Sequence, residues 1–354
     1  MRKIYFLIFI VLLSSCSKSE SNVNLQNESF ADAVDRYLGS LSESNKFMGS
    51  VSVTNNGNQI YNRAFGYRDI EKQQFNVSNT LFRIGSITKT FTAVLIVQLV
   101  EEGLLSFEDK LSLYYPEIPN AELITIDMML HHQSGIYDLT SHPDYIEYFN
   151  IPKTKQEILD ILITYAPAFE PETNVEYSNT NFILLGYIIE SITGKSYDTN
   201  IQERIAGNAG LVNTFYGSEI NTINNESKSY RFINGNWELA PETHMSIPHG
   251  AGALVSSSSE LISFINSLFE NELVSETSIR DMLVPSSGYG RGIIVVPYEN
   301  KLVYGHSGII NGFRNVMIYI PEDKIALVYL SNGLNYSQRD LWTEILDIYY
   351  ELNP

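Results

Sequence analysis

Two residues at the start of an apolar helix, Ser86 and Lys89, have the types and the spacing needed for acyl-transfer chemistry. Residues three apart on a helix lie on the same face. Burial disfavours the charged form of lysine, and a neutral lysine can take the proton of a nearby serine and activate its hydroxyl. The pattern Ser-x-x-Lys alone is weak, because Ser15 and Lys18 repeat it and Ser86 could simply cap the helix. The strongly apolar sequence after Lys89 favours a buried, reactive lysine over a solvated one.

Two later segments add polar groups of complementary chemistry. Tyr177 and Asn179 precede a second apolar helix, where a tyrosine and an amide can share a proton network and hold a substrate carbonyl. His306 and Ser307 lie in the sequence Gly-His-Ser-Gly after a predicted strand, where they could bind and protonate a substrate group. This segment is not a Gly-x-Ser-x-Gly nucleophile elbow, because Ile309 stands where the last glycine should be.

Taken in this order, the three segments resemble the motifs Ser-x-x-Lys, Tyr-x-Asn and Lys/His-(Ser/Thr)-Gly of the serine β-lactamase and penicillin-binding-protein superfamily. The chain resembles in particular the branch near class C β-lactamases and D-alanyl-D-alanine carboxypeptidases. The similar stretches are FRIGSITKTFTA around Ser86, MLHHQSGI at 129–136, YSNTNFILLGYIIESITGKSY at 177–197 and GAGALVSSSSEL at 250–261. The resemblance extends over roughly residues 30–350.

The resemblance implies a role for each motif residue. Ser86 would be acylated, Lys89 and Tyr177 would shuttle the proton, and Asn179 would hold the substrate amide. The backbone N–H groups of Ser86 and Ile309 would form the oxyanion hole, and preorganised donors of this kind contribute ~3 kcal/mol each to transition-state stabilisation. The substrate-binding residues would include Ser307 and Gly308. No cofactor is implied.

The sequence differs at His306 from the true β-lactamases that it resembles, because they carry lysine at this position. Lysine is a fixed cation, whereas histidine near pH 7 is only partly charged. In the family, histidine occurs among some carboxypeptidases, D-aminopeptidases and esterases. The departure therefore argues against efficient degradation of antibiotics.

A substrate carboxylate would still need a cation. Arg291 and Arg314 are near His306 in the sequence, and arginine binds carboxylates through two parallel hydrogen bonds. Both could equally be solvated strand residues. The pair His131-His132 lacks a second ligand at helical spacing, which argues against a metal site. The resemblance implies that both histidines belong to a structural loop.

The periodicity along the chain predicts the elements that position these residues. It predicts a helix from Phe30, a hairpin around Asn55-Asn56-Gly57, a buried helix at 87–100 and a closing helix at 341–352. The segment 106–245 reads as mostly helix and loop. Four strands follow, which are RGIIVVPY, KLVYG, FRNVMIYI and KIALVYLSN, and their short breaks favour antiparallel neighbours.

These elements predict an α+β fold with a catalytic domain at 30–354. An α/β lobe formed by 30–105 and 246–354 would hold an antiparallel sheet flanked by helices. A mostly helical lobe would comprise 106–245, and the active site would lie in the cleft between the lobes. The resemblance above implies that this would be the β-lactamase/transpeptidase-like fold.

The N-terminal segment has the composition of a secretory signal. Arg2 and Lys3 precede ten apolar residues, too few to span a bilayer, and Leu-Ser-Ser-Cys follows. This ending resembles the lipobox of bacterial lipoproteins, which implies a signal peptide at 1–15, lipid attachment at Cys16 and a flexible tether at 16–29. An ordinary signal peptide that happens to contain a cysteine is the alternative. With lipid attached, the protein would be anchored in the bacterial cell envelope, facing the periplasm or exposed at the surface.

Composition narrows the class of protein further. The 354 residues carry a net charge of −18, with a pI near 4.7, which argues against nucleic-acid partners and against attraction to anionic lipid headgroups. Cys16 is the sole cysteine, so a mature chain would have no disulfide and no thiol nucleophile besides it.

We therefore expect a serine hydrolase that forms an acyl-enzyme on a peptide, an amide or an ester, with a small-molecule or peptide substrate such as a cell-wall D-alanyl peptide. The alternatives are a carboxylesterase, a D-aminopeptidase-type hydrolase or a weak β-lactamase. A non-catalytic ligand sensor with the same pocket is a further alternative, disfavoured because every motif side chain is retained.

Overall fold

The computed structural model describes residues 28–353, which contain eleven α-helices and thirteen strands. The helices are α1 (Phe30–Glu43), α2 (Thr88–Glu101), α3 (Ile126–Leu130), α4 (Tyr145–Tyr148), α5 (Lys155–Leu162), α6 (Asn179–Thr193), α7 (Tyr197–Ile201), α8 (Gly207–Ala209), α9 (Ser258–Phe269), α10 (Glu276–Met282) and α11 (Gln338–Leu352). The strands are β1 (Phe47–Asn55), β2 (Asn58–Phe65), β3 (Tyr67–Asp69), β4 (Gln74–Phe75), β5 (Phe82–Arg83), β6 (Phe215–Tyr216), β7 (Tyr230–Ile233), β8 (Asn236–Leu239), β9 (Leu254–Ser256), β10 (Ile294–Tyr298), β11 (Lys301–Ile310), β12 (Phe313–Ile320) and β13 (Ile325–Leu334).

The predicted signal peptide, Cys16 and most of the tether lie outside the described residues. Within residues 28–353, no helix combines the length and the apolar character that a membrane span requires.

Six antiparallel strands form the main sheet, in the order β10-β11-β12-β13-β1-β2. The first and last parts of the chain therefore share one sheet, which confirms the predicted α+β arrangement. The β1–β2 hairpin turns at Asn56 and Gly57, whose φ angles are +49° and +73°. Positive φ at both turn residues matches the twist of the strands, so the Asn-Gly pair specified this turn correctly.

Both faces of the sheet are buried, because alternate residues of each strand enter different hydrophobic clusters. Leu327 and Tyr329 of β13 pack with α1 and α11, whereas Val328 and Leu330 pack in the larger cluster that contains α2 and α9. α2 is buried nearly all round, as its sequence predicted, and its Phe91 stacks on Phe264 of α9 with ring centroids 3.6 Å apart.

The middle segment contains strands that the sequence analysis missed. β6 pairs with one side of β9, whose other side pairs with β5, and β7 forms a two-stranded hairpin with β8. The hairpin turns at Asn234 and Gly235, both at positive φ, so a turn signal was present in the sequence. The boundaries of the two lobes stay predictions.

Candidate active site

The turn before α2 presents Ser86 at the surface of a buried helix. Ser86 lies in a short 3₁₀ turn (Gly85–Ile87) and is half-buried between buried neighbours. β11 lies directly against this turn. A Cβ on Gly308 would fall 1.9 Å from the Ile84 carbonyl oxygen, and one on Gly85 would fall 3.0 Å from the Ile309 nitrogen. Glycine at these two positions is therefore what lets the strand approach the serine.

β11 is longer than predicted and includes the whole Gly-His-Ser-Gly segment. It continues to Ile310 because β12 pairs with it throughout, with Ile309 opposite Arg314 and Ile310 opposite Phe313. The residues that flank a two-residue turn form a hydrogen-bonded pair, so the next pair is not hydrogen-bonded. The N–H of Ile309 is thus directed away from β12, toward the open edge beside Ser86, which is the direction an oxyanion-hole donor requires.

Ser86 is at the centre of a hydrogen-bond network that joins three predicted motif residues. The Tyr177 hydroxyl is 2.7 Å from Ser86 Oγ, and Lys89 Nζ is 3.0 Å from the same oxygen. Lys89 Nζ also donates to Asn179 Oδ1 at 2.7 Å and to the Ala251 carbonyl at 2.8 Å. A nucleophile and a base within hydrogen-bond reach, with the base held by further groups, is the geometry of an activated serine.

Burial sets the protonation state of Lys89. Its side chain is wholly buried and forms no ion pair in the part of the chain that the structure describes. Removal from water lowers the pKa of Lys89 to about 7, while the charge of Asp138 acts in the opposite direction. A neutral amine has two N–H donors for Asn179 and Ala251 and one lone pair left for the Ser86 proton. Near pH 7 a large fraction of Lys89 is therefore able to act as a base.

This pKa predicts how activity depends on pH. Since only neutral Lys89 can accept the Ser86 proton, kcat/KM should rise with pH up to about 7 and level off above it. A profile measured with one ester substrate from about pH 5 to about pH 9 checks this. A kcat/KM that does not change over this range would contradict the assignment of Lys89 as the base.

Asp138 and Thr140 fix the orientation of Asn179, and sequence reasoning missed both. Asn179 Nδ2 donates to the Asp138 carboxylate at 3.2 and 3.3 Å and to Thr140 Oγ1 at 3.0 Å. The amide oxygen consequently faces Lys89. In this structure the Asn179 side chain thus holds Lys89 through its amide oxygen. Its contact with a substrate amide, which the resemblance implied, stays a prediction. Asp138 follows the stretch 129–136 without a periodicity that would have singled it out.

His306 is buried beside this network and is neutral near pH 7. Burial and the nearby charge of Lys89 lower the pKa of His306 to about 3. Its Nδ1 is 2.6 Å from the carbonyl oxygen of Ser307, and because a carbonyl can only accept, Nδ1 carries the proton. Nε2 is then an acceptor. His306 therefore supplies a neutral ring rather than the partly charged one expected from the ordinary pKa of histidine.

Tyr177 is held by an aromatic contact on its other side. The ring of His132 lies 4.5 Å from that of Tyr177, and His132 Nδ1 accepts a hydrogen bond from the Ser178 N–H at 3.1 Å. Burial lowers the pKa of His132 well below its usual value and raises the pKa of Tyr177. Tyr177 is therefore a protonated donor at neutral pH. His132 is a packing residue of this site, in line with the structural loop expected there.

The network opens into a cleft of about 660 Å³ whose rim is chemically divided. Tyr145, Ile146 and Phe149 line one part and make it largely apolar. Arg231 and Arg314 line another part, and neither forms an ion pair among residues 28–353. Arg314 Nη1 is anchored by the backbone carbonyls of Phe313 and Asn311, at 2.9 and 3.3 Å. In so acidic a protein, two unpaired arginines in one cleft favour an anionic ligand group.

The other predicted arginine lies elsewhere. Arg291 Nε pairs with Asp127 Oδ1 at 2.6 Å, and its guanidinium lies 4.1 Å above the Phe107 ring. It does not line the cleft, because the chain before β10 carries it toward α3. Arg231, from the unpredicted β7–β8 hairpin, is the second cleft arginine. Ser307 and Ile309 line the cleft along β11, and Gly308 is buried against the Ser86 turn.

The family of the chain follows from comparison with known proteins. The family model described as Beta-lactamase matches residues 34–350, and the chain belongs to this family. Penicillin-binding protein 4* of Bacillus subtilis is 29% identical over 325 residues, which cover 82% of this chain and 69% of that protein. Teichoic acid D-alanine hydrolase of Staphylococcus aureus is 28% identical over 308 residues, covering 84% and 72%.

Solved structures share the fold. D-amino acid amidase from Ochrobactrum anthropi superposes with a TM-score of 0.80 at 24% identity, over 91% of this chain and 99% of that one. The octameric penicillin-binding protein homologue from Pyrococcus abyssi gives 0.78 at 27% identity, over 90% and 77%. Family and fold together identify a serine hydrolase that acts on an amide or an ester.

Proposed function

We propose that Ser86 is the nucleophile of this hydrolase and that its preferred substrates are D-alanyl esters or amides. One observation carries the assignment of Ser86. Its Oγ is within hydrogen-bond distance of both the Tyr177 hydroxyl, at 2.7 Å, and a wholly buried lysine amine, at 3.0 Å. The relative named as a teichoic acid D-alanine hydrolase supports the choice of a D-alanyl group.

The reaction follows from the protonation states of these groups. Ser86 Oγ attacks the substrate carbonyl carbon while neutral Lys89 takes the hydroxyl proton. The N–H groups of Ser86 and Ile309 stabilise the tetrahedral oxyanion. The bond from carbon to the leaving oxygen or nitrogen breaks as Tyr177 donates a proton to that atom and recovers one from Lys89. Water then attacks the acyl-enzyme, and the same groups return the proton to Ser86 as the acid leaves.

The charge of the cleft supports an anionic group on the substrate. His306 is neutral, so it cannot hold a carboxylate by charge as a lysine would. Arg314 and Arg231 supply the cations instead, at the rim of the same cleft. A D-alanyl substrate with a phosphate or carboxylate near the scissile bond would match this arrangement, and a cell-wall peptide or polymer is the natural source of both groups.

A competition between substrate classes tests the proposal. The purified protein is mixed with a D-alanyl ester, a D-alanyl amide and a penicillin, and both protein and small molecules are followed by intact mass. We expect hydrolysis of a D-alanyl compound. A lasting penicillin adduct alone would indicate a penicillin-binding, carboxypeptidase-like site, and hydrolysed drug without an adduct would indicate a β-lactamase. Binding without any hydrolysis would overturn the proposal in favour of a ligand sensor.

We further propose that the protein is lipid-anchored through Cys16. The support is the sequence alone, in which Leu-Ser-Ser-Cys follows a short basic and apolar segment. Expression with a labelled fatty acid should give a labelled, membrane-bound protein, and Cys16→Ser should abolish the label. A soluble, unlabelled wild-type protein would contradict the anchor and would leave the hydrolase assignment untouched.

A further inference from the structure

A second cavity lies behind the catalytic cleft, on the opposite face of β11. Its volume is about 240 Å³, and it lies between the sheet and the first turns of α11. Val296, Val303, Val316, Ile318 and Trp342 form its apolar walls, and Gln338 and the exposed Arg339 of α11 add polar groups. Ile294, His306 and Ser307 line both this cavity and the cleft, so the two spaces meet at β11.

The two spaces meet where the sheet has an open edge. β10 begins at Ile294, which pairs with Gly305, whereas β11 continues past this pair to Ile310. No strand of the described chain covers His306–Ile310 on that side. Backbone groups of such an edge can pair with an extended ligand, whose successive substituents then point alternately to the two faces of the sheet.

The register shows which face each β11 residue presents. Ser307 pairs with Val316, which belongs to the cluster on the α11 face, whereas His306 pairs with Met317 of the opposite cluster. A ligand group placed opposite Ser307 would therefore be directed to the α11 face, where the cavity lies. A group opposite His306 would be directed to the Ser86 side.

The direction in which a bound ligand strand runs identifies the part of the substrate that lies opposite Ser307. Every strand pair in this sheet is antiparallel, and a ligand paired in the same way runs from Ile309 toward Ser307 in its amino-to-carboxyl direction. With the scissile carbonyl at Ser86 and Ile309, the part opposite Ser307 belongs to the leaving group. We infer that the cavity binds an apolar substituent, the size of a branched aliphatic or an aromatic group, on the leaving alcohol or amine. This inference rests on the proposed function.

Filling the cavity should change leaving-group selectivity. Val296 is half-buried on an edge strand and faces the cavity, so Val296→Phe would occupy it with little disturbance of the core. Val295 is the matched control, because it is equally half-buried, pairs with Tyr304 and faces the other side of the strand. D-alanyl esters that share one acyl group, with a methyl or a benzyl leaving alcohol, are compared by kcat/KM.

We expect the benzyl-to-methyl ratio of kcat/KM to fall by about tenfold or more in Val296→Phe and to stay unchanged in Val295→Phe. The deacylation rate is the internal control for folding, since the acyl-enzyme has already lost the leaving group and this rate should be the same in all three proteins. An unchanged ratio in Val296→Phe, or a wild-type preference for methyl over benzyl, would overturn the inference. Failure of every ester to acylate Ser86 would instead overturn the proposed function.

Discussion

Ser86→Ala is expected to lower kcat/KM for the best substrate by about 10⁴-fold or more, because no acyl-enzyme can form. The fold should persist, since the lost hydroxyl is half-buried at the cleft and its two partners keep other contacts. Lys89 still contacts Asn179 and Ala251. Single-turnover kinetics and intact mass would measure the loss of both turnover and adduct.

A surface serine provides the control for this experiment. Ser263→Ala removes an exposed hydroxyl on α9 and should leave kcat/KM at the wild-type value. If Ser86→Ala hydrolysed its best substrate as fast as the wild type, Ser86 would not be the nucleophile, and the assignment would fail together with the acyl-enzyme.

Lys89→Met should reduce kcat/KM by about 10³-fold or more, because groups that act as a unit fail together. Methionine fills a similar volume but cannot accept the Ser86 proton. It also leaves Asn179 Oδ1 and the Ala251 carbonyl without their lysine donor, at a cost of about 1–3 kcal/mol for each unsatisfied group. A lower melting temperature should therefore accompany the loss of activity.

The pH profile separates the catalytic effect of Lys89 from the structural one. Residual activity of Lys89→Met should no longer rise toward pH 7, whereas a protein that is merely less stable would keep the wild-type profile at a temperature where it is folded. Lys195→Ala, which changes an exposed lysine paired with Glu203, is the control for removal of a positive charge. A Lys89→Met protein with the wild-type rate and profile would show that another group is the base.

The sequence was sufficient for the parts of the site whose signals are local. The apolar run after Lys89 predicted its burial, and the three motifs brought together in the structure were found in order. Other features depend on contacts that no local pattern carries. Ala251 contributes a backbone carbonyl that accepts from Lys89, and every residue type has such a group, so the sequence gives no signal for it. Asp138 lies in a loop and accepts a hydrogen bond from the side chain of Asn179. The neutral state of His306 results from burial and from the charge of Lys89.

The cleft arginines show why register matters for such predictions. Arg291 and Arg314 are both close to His306 in the sequence, yet only Arg314 lines the cleft, because it pairs with Ile309 on the neighbouring strand. Arg231 is far from both in sequence and reaches the rim only through the β7–β8 hairpin, whose Asn-Gly turn was not read as a strand signal. Proximity in sequence is thus a poor guide across a sheet.

The pairing of β1 with β13 has a consequence for how the newly synthesised chain folds. Ser331 Oγ donates to the carbonyl of Met48, 283 residues earlier in the chain. The centre of the sheet is therefore formed by strands from the N-terminal and the C-terminal parts of the chain. Closing a loop of that length costs about 5 kcal/mol of chain entropy before these contacts form, and such topologies fold slowly. Ser86 is synthesised early, but Ile309 is supplied late. With the proposed roles of Ser86 and Ile309, hydrolytic activity can arise only after the C-terminal strands have closed the sheet.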